Sequence, residues 1–283
     1  MTTDLTGRVV AITGGARGIG HATAAAFLAR GARVAIGDID DVAVKEGATA
    51  LESTADTAHT RIHHDTLDVT DPESFDRFLD GVEATLGPID VLVNNAGIMP
   101  VGRVVDEPDA LTRRVLDINV LGVITGSKLA ARRMLPRGRG HIVNIASAAG
   151  ETYSPGLATY CASKFAVVGF TDAARLEHRG TGVEFSLVMP SFVNTELTAG
   201  TSGARGFRNA EPDEIARAVV SLIDKPRSRV RVTRLFGAAV VSQKFLPRPL
   251  AEAMSRALGA DDVFLGSVDQ GARRAYEERA RHS

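Results

Sequence analysis

The sequence predicts an α/β fold, a parallel sheet with helices on both of its faces. Two patterns predict it. Short apolar runs alternate with longer helical stretches from Arg8 to about Thr233, and each run ends in a polar or glycine break. A third observation agrees with them. Gly14, Asp38, Asp68, Asn94, Ser147 and Pro190 each follow an apolar run, and ligands of such folds bind beyond the carboxyl ends of the strands.

The first strand is residues 8–13, apolar and closed by glycines, the profile of a strand buried on both faces. A helix over 18–30 follows and Gly31 stops it. A strand over 33–37 ends at Asp38, a helix covers 41–53, and a strand covers 62–67. Residues 72–86 form a helix with Pro72 in its first turn and Asp71 as N-cap. Then come a strand over 89–93, a long helix over 108–135, a strand over 141–145 and a helix over 157–178. A strand over 183–188, a helix over 212–223 and a last strand over 230–233 complete the alternation. No linker or composition break precedes residue 235 or so. Residues 1–234 are therefore assigned to one domain, and 235–283 to a C-terminal extension packed on it or on a partner subunit. In that extension 235–250 is apolar with scattered basic residues, and helices are expected over 250–258 and 267–281.

The bulk properties narrow the function classes. With 44% hydrophobic and 24% charged residues in 283, the chain can build an ordinary soluble core. A net charge of −1 gives no electrostatic reason to expect nucleic acid or an anionic membrane as partner. Cys161 is the single cysteine, so no internal disulfide forms and a reducing compartment fits. The amino terminus lacks a secretory pattern, and no apolar run approaches the roughly 18 residues of a membrane span; a cytoplasmic location is expected. Pro247 and Pro249 argue against a continuous amphipathic helix at 235–250, so membrane contact is not expected there. His59, His63 and His64 straddle a loop and a strand without a shared helical face, and no metal site is assigned. Arg132, Arg133, Arg137 and Arg139 read as a solvated helix end.

Two segments carry chemistry. Thr13-Gly14-Gly15-Ala16-Arg17-Gly18-Ile19-Gly20 lies between a strand and a helix, where missing side chains and the positive helix end suit a dinucleotide phosphate. Its Gly-x3-Gly-x-Gly spacing differs from the commoner Gly-x-Gly-x-x-Gly. Asp38 stands near the roughly 20-residue spacing of the acid that binds an adenosine ribose. A carboxylate there repels a 2′-phosphate, so NAD is favoured; Arg17 is the opposing signal and leaves NADP possible. Asp40 and Asp41 read as surface and cap residues. Asp68 and Val69 are placed to receive an adenine amino group, although Asp68 before Thr70-Asp71-Pro72 also reads as a turn residue. Asn94-Asn95-Ala96-Gly97 ends the fourth strand with small residues that let a cofactor lie against backbone. The second segment is Tyr160-Cys161-Ala162-Ser163-Lys164, which puts a phenol and an ammonium on one helix face. An adjacent ammonium favours the phenolate of a group whose pKa is otherwise near 10. With the glycine turn, this pair points to hydride-transfer chemistry.

Thr13 to Gly20, Asn94 to Gly97, Ser147, and Tyr160 to Lys164 together resemble the short-chain dehydrogenase/reductase family, over about residues 5–234. The resemblance implies a doubly wound Rossmann sheet of about seven strands, usually in homodimers or homotetramers. It also implies four catalytic positions, Asn119, Ser147, Tyr160 and Lys164. Tyr160 is then general acid and base, Ser147 holds the substrate oxygen, and Lys164 grips the nicotinamide ribose. Asn119 holds a water leading from Lys164 to solvent. After Pro190 relatives usually carry glycine, and Ser191 departs from that; the Val193 backbone and the Thr195 hydroxyl are implied to bind the carboxamide. Residues 99–105, 148–157 (Tyr153, Pro155 and Leu157 among them) and 196–210 are expected to line the substrate pocket, which suggests a moderately apolar secondary alcohol or ketone. The glycine-rich loop over 200–209 is expected to close over substrate. Two other readings are a non-catalytic dinucleotide sensor and a nucleotide-sugar epimerase or dehydratase. The intact Tyr160, Lys164 and Ser147 argue against the first, and the glycine spacing and lack of a large second domain against the second.

Overall fold

A computed structural model describes residues 4–53, 61–201, 203, 206, 208–243, 245–257, 263–266 and 268–282. Seven parallel strands run in the order β3-β2-β1-β4-β5-β6-β7. They are β1 (Val9–Thr13), β2 (Arg33–Asp38), β3 (Ile62–Thr66), β4 (Val91–Asn94), β5 (Gly140–Ile145), β6 (Val183–Pro190) and β7 (Arg229–Val232). This is the doubly wound Rossmann arrangement. The chain moves outward from β1 to β3, then crosses back to lay β4 on the other side of β1. A crevice opens at that switch point, beyond the carboxyl ends of both strands.

Period-2 alternation divides each strand between two cores. Val10 and Ile12 of β1 pack with helices α1 (Gly18–Leu28), α2 (Asp41–Glu52) and α7 (Pro212–Asp224) on one face. Val9 and Ala11 pack on the other with α3 (Pro72–Leu86) and α5 (Val123–Met134). Because both faces are covered, every residue of β1 is buried, and the strand reads in sequence as a continuous apolar run. Asp71 caps α3 through a bond from the Glu73 amide, with Pro72 at its first position, as the residue types predict.

Three elements differ from the sequence reading. The fourth strand lies two residues later at its start than 89–93, since Ile89 and Asp90 still belong to its approach. The long helix over 108–135 is not continuous: α4 (Asp109–Leu116) and α5 are joined by a π-helical turn, Asp117–Gly122. A 3.6-residue pattern absorbs such an insertion with little visible change, and π turns cluster at functional sites. In the extension a helix not anticipated from the sequence, α8 (Arg234–Gln243), precedes α9 (Arg248–Ala257) and α10 (Gln270–His282). No helix among the described residues is long and apolar enough to cross a membrane.

Helix α6 (Ala158–Glu177) packs on β6 and carries the phenol and ammonium toward the strand ends. The buried Glu151 carboxylate accepts hydrogen bonds from Arg229 at 2.7 Å and from Arg231 at 2.6 and 2.7 Å. Edge strand β7 is thereby tied to the turn that follows Ser147.

Candidate active site

A cavity of about 600 Å³ opens where the strands end. Its walls join the glycine turn and Asp38 to Ser147, Tyr160 and Lys164, and then to Phe192, Phe264 and Tyr276. Gly14, Arg17, Gly18, Ile19, Asp38, Asp68, Val69, Ala96, Gly97, Pro190, Val193 and Thr195 all line it. Gly20, Asn94 and Asn119 do not, and their places in the fold explain why.

In the glycine turn, Gly14 and Gly18 have φ of +63° and +53°, the left-handed region that glycine enters without strain. Helix α1 begins at Gly18 with no side-chain cap and no acid in its first turn, so its amides and positive end remain available to an anion. Gly20 serves packing: a Cβ there would lie 2.1 Å from the Gly14 carbonyl oxygen and 2.7 Å from Asn95 Nδ2. Asn95 ties the turn to the fourth strand. Its Nδ2 donates to the carbonyls of Thr13 at 3.0 Å and Gly14 at 2.9 Å, while Thr13 Oγ1 accepts from the Asn95 and Ala96 amides at 3.0 Å. Sequence reasoning placed Asn94 at the cofactor, but that side chain turns the other way. It is 2% exposed and donates to Asn144 Oδ1 at 2.8 Å and to Ser127 Oγ at 3.2 Å. Strand alternation gives the two neighbouring asparagines opposite faces, and Asn95 is the one at the cavity.

Asp38 accepts from the Ala16 amide at 3.2 Å and the Asp40 amide at 3.3 Å. Burial raises its pKa, opposed by those two amides and by Arg17. Arg17 is engaged elsewhere, in a 2.8 Å ion pair with Asp40, which also caps α2. Asp68 lines the cavity and accepts from the Thr70 amide and hydroxyl at 2.8 and 2.7 Å, the bonds of a turn residue.

Tyr160 and Lys164 are 7% and 5% exposed. Lys164 Nζ lies 5.6 Å from the Tyr160 ring centroid and donates to the Ile145 carbonyl at 3.1 Å. Burial pushes the Tyr160 phenol above its ordinary value, and a hydrogen bond with Ser147 opposes that rise. Burial also pulls the Lys164 ammonium down to about 8. The reading of the phenol as a proton carrier rests on the ammonium together with a positive nicotinamide ring, and burial of the chain's own groups opposes it. Ser147 also accepts from the Ala149 amide at 3.1 Å.

Asn119 sits in the π turn with its side chain fully buried. Its Oδ1 accepts from the Ile98 amide at 2.8 Å, and its Nδ2 donates to the Ile98 carbonyl at 2.9 Å and Ser163 Oγ at 3.1 Å. Both amide protons are thus used in fixing the segment after Gly97 beside Lys164. At the sixth strand's end, Ser191 causes no strain: among the described residues no non-glycine has positive φ, and Ser191 Oγ accepts from the Thr233 amide at 3.3 Å. Thr195 caps a short 3₁₀ turn, Glu196–Thr198.

The apolar end is built differently from the sequence reading. Leu157 and Met99 line the cavity, but Tyr153 is 56% exposed, and Val101, Tyr153 and Pro155 are not on its wall. The extension supplies Phe236, Phe264, Tyr276, Arg279 and Ala280 instead. Phe192 stacks on Phe264 at 5.7 Å and meets Phe236 edge-on at 6.2 Å. Arg273, wholly buried, donates to the carbonyls of Leu197, Ala199 and Met99 at 3.1, 3.0 and 2.9 Å. Of the loop over 200–209, residues 202, 204, 205 and 207 lie outside the described residues, as does His59. His63 packs against Phe78, and no group able to hold a metal is found among the described residues. Arg133 is taken up by Asp76, Asp80 and Glu83.

A crevice beyond the strand ends, with a glycine turn on its wall and a buried tyrosine and lysine beside a half-buried serine, defines a class of α/β oxidoreductases. The chain belongs to the short-chain dehydrogenase/reductase family, whose model, described as short chain dehydrogenase, matches residues 8–205. It is 37% identical over 227 residues to the 3-alpha-(or 20-beta)-hydroxysteroid dehydrogenase of Mycobacterium tuberculosis, covering 78% of this chain and 84% of that one. It is 35% identical over 239 residues to a protein called probable oxidoreductase EphD of the same organism, covering 77% of this chain but only 40% of that longer one. A crystal structure of a short-chain type dehydrogenase/reductase from Mycobacterium marinum superposes with a TM-score of 0.72 at 28% identity, covering 81% of this chain and 95% of the other. The family is one of oxidoreductases that use NAD or NADP.

Proposed function

We propose that the chain is an NAD-preferring dehydrogenase or reductase of hydroxysteroid-like secondary alcohols and ketones, with Tyr160 as general acid and base. The observation that carries the reading is the meeting of Ser147, Tyr160 and Lys164 on the wall of one cavity with the glycine turn and Asp38. The uncapped α1 end suits the pyrophosphate and the Asp38 carboxylate suits ribose hydroxyls. Val69, Ala96, Gly97, Pro190, Val193 and Thr195 complete the wall on which the nucleotide would lie. A bound nicotinamide supplies or accepts the hydride.

The chain's own residues handle the proton. Ser147 holds the substrate oxygen against Tyr160 Oη, which takes the alcohol proton in oxidation and returns it in reduction. Burial raises the phenol's pKa and so favours its protonated form, the form that donates in reduction. Lys164, on the same cavity wall as Gly97, would hold the nicotinamide ribose. Asn119 positions that segment through Ile98. The 37% identity to a hydroxysteroid dehydrogenase and the aromatic wall of Phe192, Phe236 and Phe264 favour a steroid-like skeleton.

The test is a panel of hydroxysteroids and ketosteroids followed at the nicotinamide absorbance with NAD and NADP in parallel. Turnover with NAD, lost in Tyr160→Phe by roughly a hundredfold or more with nucleotide binding retained, is expected. A tenfold preference for NADP, or full activity of the phenylalanine variant, refutes the assignment.

A further inference from the structure

We propose that Tyr276, carried by helix α10, determines specificity by donating a hydrogen bond to a second acceptor oxygen of an apolar substrate whose reacting oxygen lies at Ser147 and Tyr160. The inference rests on the proposed activity and adds a chemical requirement to it, a skeleton oxygenated at two places.

The argument begins with valence. Tyr276 lines the same cavity as Tyr160, and the two phenols are close enough for the charge of one to raise the pKa of the other. Its oxygen accepts the Met99 amide at 2.7 Å. A phenol has one proton to give, and among the described residues that proton meets no acceptor. Burial pushes the group up to about 12, so it remains a donor at every working pH. A half-buried donor fixed on the cavity wall, with no acceptor among the described residues, is available to a ligand's oxygen.

The ring is also held rigidly, as a recognition group must be. The Arg273 guanidinium lies 5.2 Å from the ring centroid. That guanidinium is itself pinned by three carbonyls and by Glu277 at 3.1 Å. The cavity wall also carries Ile98, Met99 and Phe264, so one well-placed donor would fix the orientation of a flat apolar molecule.

The experiment compares two probes with NAD: a hydroxysteroid bearing a ketone as a second oxygen elsewhere on its rings, and the same steroid without that ketone. The full chain is expected to favour the first by about three- to tenfold in kcat/KM, chiefly through KM. Tyr276→Phe, which keeps the ring on Arg273, is expected to bring that ratio near one while still oxidising the singly oxygenated probe. Equal losses on both probes would make Tyr276 only a brace for Met99 and overturn the inference. If the variant does not fold, the wild-type ratio decides, and a ratio below about twofold overturns it. Turnover without preference sinks only the role of Tyr276; turnover of neither probe sinks the reading of the reaction with it.

Discussion

Replacing Lys164 by methionine should stabilise the nucleotide-free protein at neutral pH while removing the ammonium that the proposed chemistry requires. Lys164 is 5% exposed, and its described polar bond is the one to the Ile145 carbonyl at 3.1 Å. Burial lowers its pKa from 10.5 to about 8. The unfolded chain therefore keeps the proton up to about 10.5, whereas the folded chain gives it up near 8. Between those values the unfolded state binds more protons, so folding stability rises with pH across the window. Below it the folded state carries the whole cost, roughly 3 kcal/mol at about 1.4 kcal/mol per pKa unit. Methionine removes that cost and gives up about 1 kcal/mol for the lost hydrogen bond, leaving a gain of roughly 2 kcal/mol. Urea unfolding near pH 7 and near pH 10 measures it, the advantage of Lys164→Met being large at the first and about gone at the second. A variant less stable than wild type by the same margin at both would refute the reasoning.

Two further predictions follow from packing. Gly20→Ala places a Cβ 2.1 Å from the Gly14 carbonyl oxygen and 2.7 Å from Asn95 Nδ2, so the turn must move; NAD affinity by calorimetry should fall about tenfold or more, since misplaced amides lose charge-assisted bonds, and wild-type affinity would contradict this. Arg273→Met leaves the Met99, Leu197 and Ala199 carbonyls without their donor, a loss of about 3–5 kcal/mol in local stability; hydrogen exchange should speed up in α10 and at Met99, with NAD affinity unchanged, and unaltered protection there would count against the clamp.

The sheet was readable because its signals are local. Asp71-Pro72 marks the start of α3 with cap chemistry, and a strand buried on both faces cannot be mistaken for an amphipathic helix over so few residues. The glycine turn and the Tyr160–Lys164 pair were readable for the same reason, since each is a spacing on one element. What escaped depends on orientation or on distant partners. Adjacent Asn94 and Asn95 differ only in the face they take. The π turn at Asn119 leaves the hydrophobic period almost intact. Helix α8 lacks a clear polar stripe, so 235–243 reads as an apolar stretch without a period. Helix α10, rich in Arg and Glu, reads as a solvated surface helix, and nothing local marks Arg273 and Tyr276 as inward-facing. Ala280, a small buried residue amid the charges, was the available hint.

The bond from Arg273 to the Met99 carbonyl spans 174 positions of the chain, and that span separates two heritable units. Under the proposed function, nucleotide grip and proton handling are encoded between Thr13 and Thr195, whereas Phe236, Phe264 and Tyr276 of the cavity wall are encoded after residue 235. On that reading, exchange of the terminal segment is a route by which selection, or a protein engineer, can retune the apolar end of the cavity while leaving Ser147, Tyr160 and Lys164 in place.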